Sequence, residues 1–112
     1  MKEIYKTFTS VAGTKYRKKN TEKAYDLVSS NTTDMHTEKV RFELEPENKY
    51  DKYAIKIYIY DIFVGYVPRR GLRKLRSMLH SEKYICKLTA DIDFFEDEPN
   101  FIVHFTFYEN NS

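Results

Sequence analysis

Two stretches of this chain set aromatic rings among cations. Lys15-Tyr16-Arg17-Lys18-Lys19 is one, and Tyr66 with Arg69, Arg70, Arg73, Lys74 and Arg76 is the other. Rings give nucleobases a face to stack on, worth roughly 1 to 3 kcal/mol per base, and cations spaced along a chain track a phosphate backbone. A third stretch, Tyr50-Asp51, sets a ring beside a carboxylate that can accept hydrogen bonds from a ligand or order its own loop in an Asx-turn. These residue types together suit a sequence-tolerant binder of single-stranded nucleic acid. They also read without a ligand. A basic helix face is a solvated surface by default, and Gly13 and Gly65 answer to a bulge or a close packing point.

The chemistry of catalysis is not set up. There is no Gly-rich phosphate loop and no nucleophile elbow, and Glu47, Asp51 and Asp61 lack the spacing of a metal-dependent nuclease. His36, His80 and His104 are scattered, with no evident acid partner and no metal-ligand spacing, so they are expected as surface or half-buried residues. The single cysteine, Cys86, excludes an internal disulfide framework and falls on the apolar face of a strand, where an inert core thiol is expected. No enzyme, no cofactor and no metal is expected.

Charge and length narrow the class further. Nineteen Lys and Arg against 17 Asp and Glu leave a net +2, too little to argue for nucleic acid unless the cations are grouped. Five acids between Asp91 and Glu98 would repel a polyanion if they shared a face with the cations. The 112 residues fit one domain, 1–112, without repeat or linker. No apolar run approaches the roughly 18 residues of a membrane span. The opening MKEIYKTFTS has no apolar stretch behind its early lysine, so neither a leader nor a membrane is expected, and the address is expected to be cytoplasmic.

The elements that must carry these residues follow period two. Val40, Phe42 and Leu44 alternate with polar residues, and Ile55, Ile57 and Ile59 repeat the pattern before a break at Tyr60-Asp61 and a second run from Ile62 to Val67. This predicts a strand over 38–45 and a hairpin over 54–67. The longest alternation, 84–94, is joined by the acidic turn 96–100 to a last strand through Phe101, Val103, Phe105 and Phe107. A first long strand is expected over 4–16, bent near Gly13. Between 17 and 37 only Ala24, Tyr25, Leu27 and Val28 hint at a short helix, capped by Thr21 and closed by Ser29 and Ser30. Leu72, Leu75 and Leu79 predict a helix over 69–80, whose N-terminus near Arg69 would add backbone donors for a phosphate. The class is mainly β with minor α: a small OB-like antiparallel β-barrel of five or six strands with one or two short helices.

Three motifs in order carry a family resemblance: Val11-Ala12-Gly13-Thr14-Lys15-Tyr16, Glu45-Pro46-Glu47-Asn48-Lys49-Tyr50-Asp51-Lys52-Tyr53-Ala54-Ile55, and Val64-Gly65-Tyr66-Val67-Pro68-Arg69. The chain resembles the HIRAN domain over about residues 8–107, the middle motif being the most specific. The family occurs in DNA-remodelling ATPases, fused to nucleases, and as small bacterial and phage proteins. The resemblance implies an OB-like barrel that binds single-stranded DNA and captures a free 3′ end. It places Lys15 near phosphate, Tyr16 against the terminal bases, Tyr50 and Asp51 as the pocket pair with the Asp51 carboxylate accepting from the 3′-hydroxyl, and Phe101 as a further stacking ring. Tyr66 stands where the remodelling enzyme has histidine and Arg69 where it has lysine. Lys49 and Tyr53 replace the usual Pro and Asn of the pocket loop.

The expected function is a non-catalytic DNA-binding module for single-stranded DNA or DNA ends, with a nuclease, helicase or other DNA-processing protein as the partner that does chemistry. The alternative is a protein-interaction adaptor on the same fold, using an edge strand or the acidic turn.

Overall fold

The computed structural model describes residues 2–111. Among them, β1 (Glu3–Ser10) leads through a single 3-10 turn (Thr14–Tyr16) into α1 (Lys18–Asn31). There follow β2 (His36–Thr37), β3 (Val40–Leu44), β4 (Ile55–Ile59), β5 (Ile62–Tyr66), α2 (Arg73–Leu79), β6 (Tyr84–Phe95) and β7 (Glu98–Glu109).

The longest unit is the β6–β7 hairpin, in register from Tyr84 opposite Glu109 to Phe95 opposite Glu98. Its turn is only Glu96-Asp97, both at positive φ (51° and 65°), the geometry that matches the right-handed twist of the flanking strands. Tyr60 and Asp61 close β4–β5 in the same way, at φ 52° and 60°. Every second residue of β7 from Phe101 to Phe107 is buried, and on β6 so are Leu88, Ala90 and Ile92, each opposite one of them or its neighbour in the ladder. Ile55, Ile57 and Ile59 of β4, Ala24 and Val28 of α1, and Leu75, Met78 and Leu79 of α2 complete one core. The two expected hairpins and the alternating strands are therefore present.

The expected barrel is not closed. Seven strands divide between two antiparallel sheets, one ordered β1-β7-β6-β2 and the other β3-β4-β5. The second sheet has strands of five residues against twelve in the β6–β7 hairpin, and among the described residues no ladder pairs β3 with β6. β3 and β6 line opposite walls of a shallow cleft, Val40 to Phe42 facing Cys86 to Thr89. On the other side an isolated bridge joins the sheets: Ala12 and Tyr66 exchange backbone hydrogen bonds of 2.8 and 2.9 Å. Gly65 permits that contact. A Cβ there would lie 2.3 Å from the Ala12 carbonyl oxygen, so no side chain fits at this crossing.

Three boundaries differ from expectation. The first strand ends at Ser10, because Gly13 at φ 82° turns the chain into the 3-10 turn. α1 is no short helix: it starts at Lys18, and Thr21 is buried in its first turn with its hydroxyl donating to the Thr14 carbonyl at 3.3 Å. Thr21, Ala24 and Val28 form the narrow buried stripe, and the polar remainder is the solvent face that hid the helix in the sequence. Ser29 lies inside it, its hydroxyl donating to the Tyr25 carbonyl at 2.8 Å. α2 begins at Arg73, after Leu72 in a non-helical conformation. Arg69 therefore lies in the loop before α2, and the expected phosphate donors at its position do not form.

Candidate functional site

The ends of four segments meet at one pocket. The turn after β1 brings Ala12, Gly13, Tyr16 and Arg17; the β3–β4 loop brings Asn48, Tyr50, Asp51 and Ala54; the end of β5 brings Tyr66 and Val67; and the loop before α2 brings Arg69. Together they line a cavity of about 290 Å³. Tyr16, Tyr50, Asp51, Tyr66 and Arg69, spread over more than fifty positions of sequence, are thus gathered around one opening.

The β3–β4 loop is built by its own side chains. The Asn48 Oδ1 accepts the backbone amides of Tyr50 (2.9 Å) and Asp51 (3.0 Å), and the Asp51 Oδ1 accepts the amide of Tyr53 at 2.9 Å. These are Asx-turns in tandem, which fix the backbone without a regular element. The Asn48 amide also donates to Glu45 Oε1 at 2.6 Å, and the Tyr66 hydroxyl donates to the same oxygen at 2.8 Å. Lys56 Nζ stands 3.7 Å from Glu45 Oε2. The Asn48 hydrogen bond, with Tyr66 and Lys56, holds the Glu45 carboxyl below its usual range against the opposing effect of burial. Burial and the Glu45 carboxylate raise the Tyr66 phenol. Tyr66 is thereby fixed as a wall of the pocket.

Asp51 is the charged centre. Its side chain is 11% exposed, and Oδ2 accepts from Arg76 Nη2 at 2.6 Å with Arg69 Nε at 3.5 Å. Burial works to raise its pKa, but the Tyr53 amide and the two arginines outweigh burial and hold the carboxyl below the usual range. It is an anion lining the pocket, with Oδ1 held by the Tyr53 amide and Oδ2 by Arg76. Arg76 also donates to the Tyr53 carbonyl at 2.9 Å, so one guanidinium ties α2 to both ends of the Asp51 turn. Arg69, 68% exposed in its side chain, is the cation left facing solvent.

The rings differ in availability. Tyr16 is 78% exposed and Tyr50 87% exposed, a condition in which a flat face is open to a ligand. Lys15 Nζ lies 5.1 Å over the Tyr16 ring and lines the concavity next to the pocket rather than the pocket itself. Arg17 is half-buried: its Nη1 donates to the Gly13 carbonyl at 2.8 Å, and its guanidinium lies 4.4 Å over Phe63 and 5.2 Å over Tyr66. Phe101 does not line the pocket. It is 2% exposed and stacked on Tyr25 at 4.4 Å between centroids, so it is a core ring; its place in the strict alternation of β7 is the reason.

Arg17, Asn48 and Arg76 are site residues that the sequence reading did not assign. Asn48 stood inside the most specific motif, which was the available signal; the reach of Arg76 from α2 to a distant loop has no sequence signature. The histidines also need correction. His36 Nδ1 and His104 Nε2 both meet the Asp91 carboxylate, at 2.5 and 2.8 Å, so two of the three do have an acid partner. Of the five acids from Asp91 to Glu98, none lines the pocket. Cys86 is half-buried and burial pushes its thiol up to about 12, consistent with an unreactive residue. Among the described residues no group of His, Cys, Asp or Glu is placed to hold a metal, and no helix is long and apolar enough to cross a membrane.

A model of the HIRAN domain matches residues 4–108. A crystal structure of a protein from Lactobacillus plantarum superposes with a TM-score of 0.54 at 14% identity, covering 95% of this chain and 100% of that one, a likeness of fold. No curated protein matches the chain.

Proposed function

Because the chain belongs to the HIRAN domain family, a family of DNA-binding domains, we propose that it binds single-stranded DNA and takes a free 3′ end into the pocket around Asp51. The observation that carries this reading is the convergence of two open rings, an exposed cation and an ionised carboxylate on one cavity. Tyr16 and Tyr50 offer stacking faces to the terminal bases, Arg69 meets the adjacent phosphate, and Tyr66 forms the wall. The Asp51 carboxylate accepts a hydrogen bond from a 3′-hydroxyl. A 3′-phosphate brings negative charge to the same oxygens and is repelled. The module binds and does not catalyse; reactions on the DNA belong to a partner such as a nuclease or a helicase.

Fluorescence anisotropy with a short labelled strand ending in a 3′-hydroxyl or a 3′-phosphate, at two salt concentrations, tests this. The expected result is tighter binding to the hydroxyl, lost in Asp51→Ala, with steep weakening by salt. Equal affinity for the two ends, or equal losses for both in the variant, would sink end capture and leave general DNA binding.

A second reading rests on the far hairpin tip, where Phe94 and Phe95 are 60% and 71% exposed beside Glu96, Asp97 and Glu98. Exposed rings rimmed by acids suit a protein partner. Absence of DNA binding at low salt in the same assay would bring this adaptor reading to the front.

A further inference from the structure

The pocket opens onto a second concavity lined by Lys15, Tyr16, Arg17, Lys18, Lys19 and Asn20, and shares Tyr16 and Arg17 with it. We propose that this shelf is a phosphate-tracking subsite: the strand whose end occupies the pocket leaves it across Tyr16 and lays its backbone along Lys15, Lys18 and Lys19. The inference rests on the DNA-binding reading and adds a direction and residues to it.

Two basic surfaces flank the pocket, and they differ in what their charges already do. On the α2 side Arg69 and Arg76 are engaged with Asp51 at 3.5 and 2.6 Å, and Lys74 Nζ is drawn 4.1 Å over the Tyr5 ring. Arg70 and Arg73, exposed and without a carboxylate partner among the described residues, line neither the pocket nor the concavity that shares its residues. On the shelf, none of Lys15, Arg17, Lys18 and Lys19 has a carboxylate partner among the described residues, and no acid lines the concavity. Lys15, Lys18 and Lys19 are exposed, and Lys15 lies over the ring that forms the border with the pocket. Uncompensated cations beside an open ring attract an extended polyanion, because each phosphate they neutralise releases condensed counterions. Arg17 is held by Gly13, Phe63 and Tyr66 and keeps the border rigid.

The distinguishing experiment uses strand length. Wild type, a Lys18→Glu/Lys19→Glu variant and an Arg70→Glu/Arg73→Glu variant are titrated with 3′-hydroxyl strands of about three and about twelve nucleotides, spanning the pocket alone and pocket plus shelf. The Lys18/Lys19 variant is expected to bind the longer strand about tenfold more weakly, to keep the short strand's affinity, and to lose about 0.7 in the logarithmic salt slope for each phosphate no longer held. The Arg70/Arg73 variant is expected to change both strands little. If the Lys18/Lys19 variant weakens both lengths alike, or the Arg70/Arg73 variant weakens the long strand as much, the shelf is not the track although the pocket reading stands. If wild type binds neither strand, the pocket reading fails and the shelf fails with it. Unchanged circular dichroism of both variants excludes misfolding as the cause of a loss.

Discussion

Arg76 Nη2 lies 2.6 Å from Asp51 Oδ2, joining α2 to the β3–β4 loop across 25 positions of sequence. This contact decides the shape of the pocket. One backbone hydrogen bond, from the Ala54 amide to the Asp51 carbonyl at 3.0 Å, closes the loop there, its side chains fix the rest, and Arg76, with His80 Nε2 3.0 Å from the Tyr53 carbonyl, anchors it to a helix packed on the core. The carboxylate that lines the pocket is thus held by a residue that lies outside the pocket lining.

Replacing Arg76 with Met keeps its bulk and removes its donors, leaving a mostly buried carboxylate with the Tyr53 amide on Oδ1 and only the weaker Arg69 contact on Oδ2. The expected cost is about 1 to 3 kcal/mol in urea unfolding, with a parallel loss of DNA affinity. Arg69→Met, at an exposed site, is expected to leave stability within about 0.5 kcal/mol while weakening DNA binding. Equal stability losses for the two would contradict the anchoring role of Arg76.

Tyr16 and Tyr50 are largely exposed, so neither contributes much to the core. Tyr16→Ala and Tyr50→Ala are expected to weaken single-strand binding by roughly 1 to 3 kcal/mol each at nearly unchanged melting temperature. A melting temperature that falls with affinity would make these rings structural.

Phe101→Leu separates core from ligand. As a buried ring stacked on Tyr25, its loss is expected to lower stability, by about 3 to 5 kcal/mol for truncation to Ala and less for Leu, while folded Phe101→Leu protein binds DNA as wild type does. Specific loss of binding in a folded Phe101→Leu protein would restore it to the site.

Acid titration tests the carboxylates of Asp51, in the pocket lining, and of Glu45, which holds the lining residues Asn48 and Tyr66. Asp51 and Glu45 have folded pKa values below their ordinary ones, so between folded and unfolded values the unfolded chain binds more protons. Their stabilisation is complete above about pH 5 and is lost as pH falls through the folded values. Asp51→Asn and Glu45→Gln are expected to be less stable than wild type at neutral pH, with the gap closing as pH falls through the folded values. A gap constant with pH would show that the carboxylates' charge contributes nothing.

Much of the fold was legible because burial writes itself as period two. Ile55, Ile57 and Ile59, and Phe101 through Phe107, announced their strands and the side that faces the core. The same rule, applied to Phe101, would have placed it in the core; the resemblance drew it to the site instead. The motif Glu45 to Ile55 located the pocket loop, since tandem Asx-turns need Asn48 and Asp51 at fixed spacing. α1 was only partly legible: one buried stripe of Thr21, Ala24 and Val28 leaves most of fourteen residues polar, which resembles a loop in composition.

By itself, then, the sequence determined the strands other than β2, the hairpin turns between them and the local chemistry of the pocket loop, because all of these depend on neighbours within a few residues. Tertiary structure alone decided that the sheets stay open with the Ala12–Tyr66 bridge between them, that Arg76 clamps Asp51, and that His36 and His104 share Asp91. These are contacts between residues distant along the chain, set by how strands of unequal length and two helices pack around one core, and no local spacing encodes them.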